Sequence, residues 1–308
     1  DTGATNIDNP FEDLIGGGTK PNDDSNQNND SNNNDDTNDP NDNSEQEVND
    51  CIQVDANGNC VENLTGILIP EEEDGNDCER LKEITDVPDI RNKLKQMKPS
   101  SDNSNGEKGL RIYDHPSLGI TASNILNENN SSNHISIPIT SMFTMAIAHN
   151  HPMNNQSAVY TEYEMYAGPD IMKLGEILKV INLDQQDTVD PLDVTHFLVT
   201  KSSSNNDRTF ALRFDDLIST QKFMNVFNDK KRQEEFIVEL GEKFRSDNSG
   251  PPQYLSETTP SKQQKHIYDL LTKYDIDMTI YEASYDANGF INNWQKINKT
   301  TLNKENCN

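Results

Sequence analysis

Met142-Phe143-Thr144-Met145-Ala146-Ile147-Ala148-His149-Asn150-His151-Pro152 is an apolar run that ends in two histidines one residue apart. The run reads as a buried central strand, and in a strand the side chains at i and i+2 share one face. His149 and His151 therefore reach a single point, and histidine is the commonest protein metal ligand. Two histidines at a strand end also serve simply as polar residues on a sheet edge. What surrounds the pair decides between these readings.

Upstream, Pro88 suits a first helical turn, and Ile90, Leu94 and Met97 follow at i, i+4, i+7 on one helical face. Glu107-Lys108-Gly109-Leu110-Arg111-Ile112-Tyr113 alternates as a strand does, and so does His134-Ile135-Ser136-Ile137-Pro138-Ile139, where Pro138 points to an edge or a strand end. Downstream lies an insertion rich in Tyr and Glu. Then Ile171, Leu174, Leu178 and Ile181 take helical spacing, with Pro169 at the helix start and Asp170 in its first turn. Residues 194–200 and 208–214 read as a hairpin around Ser203-Ser204-Asn205-Asn206-Asp207, and helices are predicted over 216–228, 231–245 and 261–273. A last strand, 278–283, leads through Asp286-Ala287-Asn288-Gly289 to Trp294. Strands and helices in this order predict a mixed α/β sandwich.

Asp170 is the best third ligand, because it opens a helix soon after the histidine pair. Two imidazoles, one carboxylate and an open fourth position are the donor set of a catalytic zinc site rather than a structural one. Zinc lowers the pKa of a bound water to about 7, and a general base must take and return the proton. Glu107 is the candidate base. Asp170 has a plainer reading as a carboxylate stabilising its own helix dipole. His115, His134, His196 and His266 are scattered singly and read as surface or satisfied core residues. Tyr160, Tyr163 and Tyr166 read first as a helical face or a packing surface, and second as an aromatic strip for substrate.

The 308 residues carry 53 acidic against 26 basic side chains, a net charge of −27. A field of that sign repels nucleic acid and anionic membrane surfaces, so nucleic-acid binding is excluded as a function class. From Thr19 to Asn49 a single valine is the one apolar residue. Such a segment cannot bury enough surface to offset its ordering entropy, so residues 1–50 are read as a disordered Asn/Asp-rich tether, 51–77 as a small turn-rich segment and 78–308 as the folded domain. The acidic runs lack the spaced ligands and glycine of a calcium loop.

Cys51, Cys60, Cys78 and Cys307 show no CxxC or CxxxC spacing. They fit disulfides in an oxidising compartment better than a zinc knuckle. The favoured pairs are Cys51 with Cys60 and Cys78 with Cys307, although four cysteines allow three pairings. No stretch approaches the roughly 20 apolar residues of a membrane-spanning helix, and the sequence starts at Asp1. The expectation is an exported protein at a bacterial cell surface or in the periplasm, meeting the membrane only through an N-terminal lipid anchor.

The order of a Glu on a glycine-containing strand, a hydrophobic strand ending in H-x-H-P, and an Asp opening a helix resembles the JAMM (MPN-plus) metalloproteases. Their motif is a distant Glu followed by H-x-H-P and S-x-x-D. More narrowly, about three quarters of the chain is similar to a group of exported Bacteroidetes proteins. The matching elements are Cys78-Glu79-Arg80-Leu81-Lys82, Glu107-Lys108-Gly109-Leu110, His149-Asn150-His151-Pro152, Tyr166-Ala167-Gly168-Pro169-Asp170-Ile171, Phe210-Ala211-Leu212 and Cys307.

The resemblance implies a JAMM (cytidine-deaminase-like) sandwich in which His149, His151 and Asp170 bind zinc and Glu107 activates water to hydrolyse a peptide or isopeptide bond. Two departures stand out. The family serine, an oxyanion donor, falls on Ala167, and loss of such a donor costs on the order of 10²–10³ in rate. The loop from Pro152 to Asp170 is also longer than the family's, so Glu162 or Glu164 are alternatives to Glu107. The competing expectation is a non-catalytic surface module that binds a peptide or envelope partner on a degenerate metalloprotease fold.

Overall fold

The computed structural model describes residues 77–99, 107–127, 135–151, 165–184, 189–201, 206–246 and 259–307. All of them lie in the compact unit Ile69–Asn308. The expected tether, the turn-rich segment apart from Asp77, the Cys51–Cys60 pair, His134, Pro152, Tyr160, Glu162, Tyr163 and Glu164 lie outside the described residues.

Two helices come first, α1 (Asp77–Asp86) and α2 (Pro88–Gln96), the latter starting on the proline the sequence marks for it. Strands β1 (Lys108–His115), β2 (Gly119–Ala122), β3 (Leu126–Asn127) and β4 (Thr144–Asn150) follow. Helix α3 (Gly168–Asp184) then leads to the hairpin β5 (Thr195–Lys201) and β6 (Asp207–Phe214). Next come α4 (Leu217–Asn228), α5 (Lys230–Ser246) and α6 (Thr259–Lys273), and the chain closes with β7 (Met278–Tyr285), β8 (Ile291–Ile297) and β9 (Lys304–Asn306).

Among the described residues nine strands form one sheet in the order β2-β1-β4-β5-β6-β7-β8-β9, with β3 also pairing to β1. The β4–β5 pair is parallel, while the other pairs are antiparallel, so the sheet is mixed. A parallel neighbour requires a crossover, and α3 supplies it. Every residue of β4 is buried. A central strand covered on both faces reads as such a continuous apolar run, which is why the run was legible.

Helices cover both faces of the sheet. Phe197 and His196 are adjacent on β5 and so point to opposite faces. The Phe197 ring lies 5.7 Å from Trp294, whose indole Nε1–H donates to Thr85 on α1 at 3.2 Å. His196 instead meets the start of α3. On that second face Phe214 packs edge-on against Phe223 of α4. Trp294, Phe197, Phe214 and Phe223 are all fully or almost fully buried, each contributing about 1.5–3 kcal/mol relative to exposure.

Two further features fasten the layers. Cys78 in the first turn of α1 is disulfide-bonded to Cys307, which follows β9, with Cα atoms 5.9 Å apart. This agrees with the favoured pairing. At the amino end of β5, Arg213 is 3% exposed and bonds Asp193 and Asp77, while Arg80 bonds Asp193, Asp114 and Glu83. The buried guanidinium has carboxylate partners, as a buried charge requires.

One expected strand does not form. Residues 135–140 take no regular element. Pro138 has no N–H to give, and the Ile135 N–H is spent on the Glu107 carboxylate at 2.7 Å instead of a ladder partner. The apolar alternation has another use, since Ile137 lies over Gly109, where a Cβ would stand 2.7 Å from its side chain.

Candidate metal centre

His149 is the penultimate residue of β4 and His151 follows its end. The parallel ladder continues one residue further, as the His151 N–H donates to the Val199 carbonyl at 3.0 Å. Between the imidazoles, the Asn150 side-chain oxygen accepts from the Lys108 N–H. Both histidines are therefore held by backbone on either side and are buried, at 4% and 8% exposure.

Asp170 comes from the first turn of α3. The Ala167 carbonyl accepts the helix's first bond, from Ile171 N–H at 3.2 Å, which makes Ala167 the N-cap. The Asp170 Oδ2 reaches back to the Ala167 N–H at 2.7 Å. This is one half of a capping box, and alanine lacks the hydroxyl for the other half. The helix-stabilising reading of Asp170 thus holds together with the ligand reading, because Oδ1 faces His149 while Oδ2, bonded to the Ala167 N–H, also stands 3.5 Å from His151 Nε2. Burial alone would raise the Asp170 carboxyl, yet His149 and His151 outweigh it and hold the group well below its usual range.

The three side chains converge. His149 Nε2 lies 3.0 Å from His151 Nε2, and Asp170 oxygens stand 3.5 Å from each of these nitrogens. Zinc bonds of about 2.0–2.1 Å in a tetrahedron separate ligand atoms by about 3.4 Å. The two His–Asp separations match that edge length, and the His–His separation is about 0.4 Å shorter. Two imidazole lone pairs cannot face each other at 3.0 Å without a proton or a cation between them, so the pair is suited to share an ion. Among the described residues this is the one group of His, Cys, Asp and Glu that can hold a metal ion.

Glu107 precedes β1 and is buried. The β1–β4 register pairs Gly109 with His149, so two residues upstream Glu107 falls across from His151, on the face that carries both imidazoles. Its Oε2 accepts from Ile135 N–H.

Among the remaining histidines His196 is a satisfied core residue, as expected, and what the sequence did not indicate is that its partners are the candidate ligands. His196, the second residue of β5, is 1% exposed, and its Nε2 lies 2.8 Å from His149 Nδ1 while its Nδ1 lies 2.8 Å from the Asp170 carbonyl oxygen. Burial, together with the neighbouring His149, pushes it down to about 3. Beneath it the Tyr166 hydroxyl donates to the His196 carbonyl at 2.7 Å. Burial, reinforced by the Asp170 charge, pushes that phenol well up, so it stays a donor. The available signal was a polar residue inside a buried apolar strand, which must find a partner. His115 takes the bland role, its Nδ1 accepting from Ser117 N–H.

Gly168 sets where α3 begins. A Cβ there would stand 2.8 Å from the Ile237 Cα of α5, a backbone atom that cannot rotate away. Gly168→Ala is expected to push the first turn of α3 by a few tenths of an ångström and carry Asp170 with it. Metal sites tolerate about ±0.2 Å, so if the group takes up a metal ion, affinity for an added divalent cation should fall about tenfold in a competition titration against a chromophoric chelator. Unchanged affinity would show that α5 absorbs the shift.

No protein-family model matches the chain, and no curated protein or solved structure is similar to it.

Proposed function

We propose that this chain is an exported zinc-dependent metallopeptidase of JAMM type. The convergence of His149, His151 and Asp170 carries the reading. Its support is the donor chemistry, two imidazoles and a carboxylate at tetrahedral spacing with a fourth position for water or substrate. The Glu upstream, the H-x-H pair at the end of a central strand and the Asp opening the next helix stand in the order and on the element types of that family. The Cys78–Cys307 bond supports an oxidising, exported setting.

Zinc, when bound, supplies a Lewis acid and brings the pKa of its water to about 7. His149 and His151 would hold it from the strand end, and Asp170 from the helix start. Glu107, on the same face, takes a proton from the attacking water and returns it to the leaving nitrogen. The Ile135 N–H orients the Glu107 carboxylate through Oε2. Ala167 offers no hydroxyl to the oxyanion, so turnover is expected to be slow relative to a site that has one.

The test is hydrolysis of a peptide library by zinc-loaded protein and by Glu107→Gln. Gln keeps the shape and cannot accept the proton, so the rate should fall by about 10²-fold or more with zinc content unchanged. A specific observation favours the alternative of a non-catalytic peptide- or envelope-binding module, namely the missing hydroxyl at Ala167. Stoichiometric zinc with no hydrolysis, in the native protein and in Ala167→Ser alike, would decide for that module.

A further inference from the structure

We propose that His196 is a positioning residue that locks His149 in the tautomer whose Nε2 lone pair faces His151 and Asp170. The argument rests on hydrogen-bond direction. The Asp170 carbonyl oxygen can only accept, so His196 Nδ1, 2.8 Å away, carries the hydrogen. An imidazole in one tautomer holds a single ring hydrogen, and His196 has committed its own to the Asp170 carbonyl. Its Nε2 is then an acceptor. The partner 2.8 Å from that acceptor is His149 Nδ1, which must donate. That bond occupies Nδ1, so Nε2 is the ring atom turned to the site, standing 3.0 Å from His151 Nε2 and 3.5 Å from Asp170 Oδ1.

The relay closes on itself. It starts at the backbone of Asp170, passes through His196 and His149, and ends in front of the side chain of the same Asp170. A shift of the first turn of α3 therefore disturbs a ligand and the ligand's orienter together. Metal-ligating histidines ordinarily give their second N–H to a carboxylate, a carbonyl or water. Here the acceptor is a second imidazole, made a one-way acceptor by the backbone carbonyl behind it. Tyr166 O–H, bonded to the His196 carbonyl at 2.7 Å, fixes that stretch of β5.

For its consequence the proposal rests on the metal-site reading, and the experiment separates the two. Long-range ¹H–¹⁵N correlation spectra of the metal-free wild-type protein report which nitrogen of His149 is protonated. The expected signature is Nδ1–H on both His149 and His196, and a His149 whose Nδ1 carries no hydrogen would overturn the lock whatever zinc does. The second arm measures zinc affinity by competition in His196→Phe and His196→Gln, with circular dichroism to check folding. Phe keeps the ring and removes the acceptor, so affinity should fall about 10–100-fold with the His149 signal spread over both tautomers. Gln restores an acceptor oxygen near the Nε2 position and should recover most of the loss. Wild-type affinity in a folded His196→Phe variant would refute the proposal. Wild-type protein that shows the Nδ1–H signature yet takes up no zinc would uphold the lock and overturn the metal-site reading alone.

Discussion

Replacing both His149 and His151 by alanine is expected to abolish zinc binding while leaving the fold in place. A closed zinc site yields about 10 kcal/mol or more at neutral pH, so each ligand accounts for about 3 kcal/mol, and the loss of two weakens binding by roughly 10⁴-fold. Asp170 alone, with its Oδ2 already bonded to Ala167 N–H, cannot retain the ion. Metal analysis of protein purified in zinc should show one equivalent in the wild type and none in the double variant. Melting curves supply an independent check, because a ligand that binds only the native state raises stability by its free concentration over Kd. Added zinc should raise the wild-type midpoint and leave that of the variant unmoved. Stoichiometric zinc in the double variant would move the site elsewhere, and metal-free wild type would remove it.

The second large effect concerns the Cys78–Cys307 bond. It closes a loop across 229 positions, for which chain-entropy arguments give about 5 kcal/mol, with measured losses of native disulfides at about 2–5 kcal/mol. Cys78→Ser/Cys307→Ser should therefore lower unfolding free energy by about 3 kcal/mol or more in urea titrations, and a reductant should do the same to the wild type but not to the variant. The structure also says where the change begins. β9 is an edge strand whose three residues are all exposed, so its amides should lose exchange protection first. The metal site sits on β4, five strands away, about 24 Å at ordinary strand spacing. Zinc affinity should thus stay within a few-fold of wild type. A variant as stable as the wild type would mean that burial of β8 under α1 holds the C-terminus unaided.

The elements that were legible share a strong period or a continuous apolar run. β4 was visible as a buried run, α2 through Ile90, Leu94 and Met97, and β5 and β6 through the turn between them. Where the structure departs, local chemistry overrode pattern, as at 135–140, where Pro138 and the Glu107 carboxylate remove the ladder bonds that alternation implied. The short strands β2, β3 and β9 carry too few apolar residues to announce themselves, and they form because a neighbouring edge offers unpaired backbone groups. At the site, His149, His151 and Asp170 were legible because each lies at a strand or helix end within a short span. His196 was not, since its meeting with His149 depends on the β4–β5 register, and no sequence pattern encodes which residue of a parallel partner comes alongside.

That register has a wider consequence. Because β4 and β5 run in the same direction, the sheet has two unlike poles. At the carboxyl pole stand His149, His151 and, brought in by the crossover, Asp170, the group that could hold a metal ion. At the amino pole, Arg213 and Arg80 are already neutralised by Asp77, Asp193 and Asp114. One pole is electrostatically finished and the other is left incomplete. On the proposed function, damage to the first should be felt as heat sensitivity in a protein that still binds metal, and damage to the second as a well-folded protein that does not. A survey of random variants scored on those two axes would sort by latitude along the strands rather than by distance in the chain.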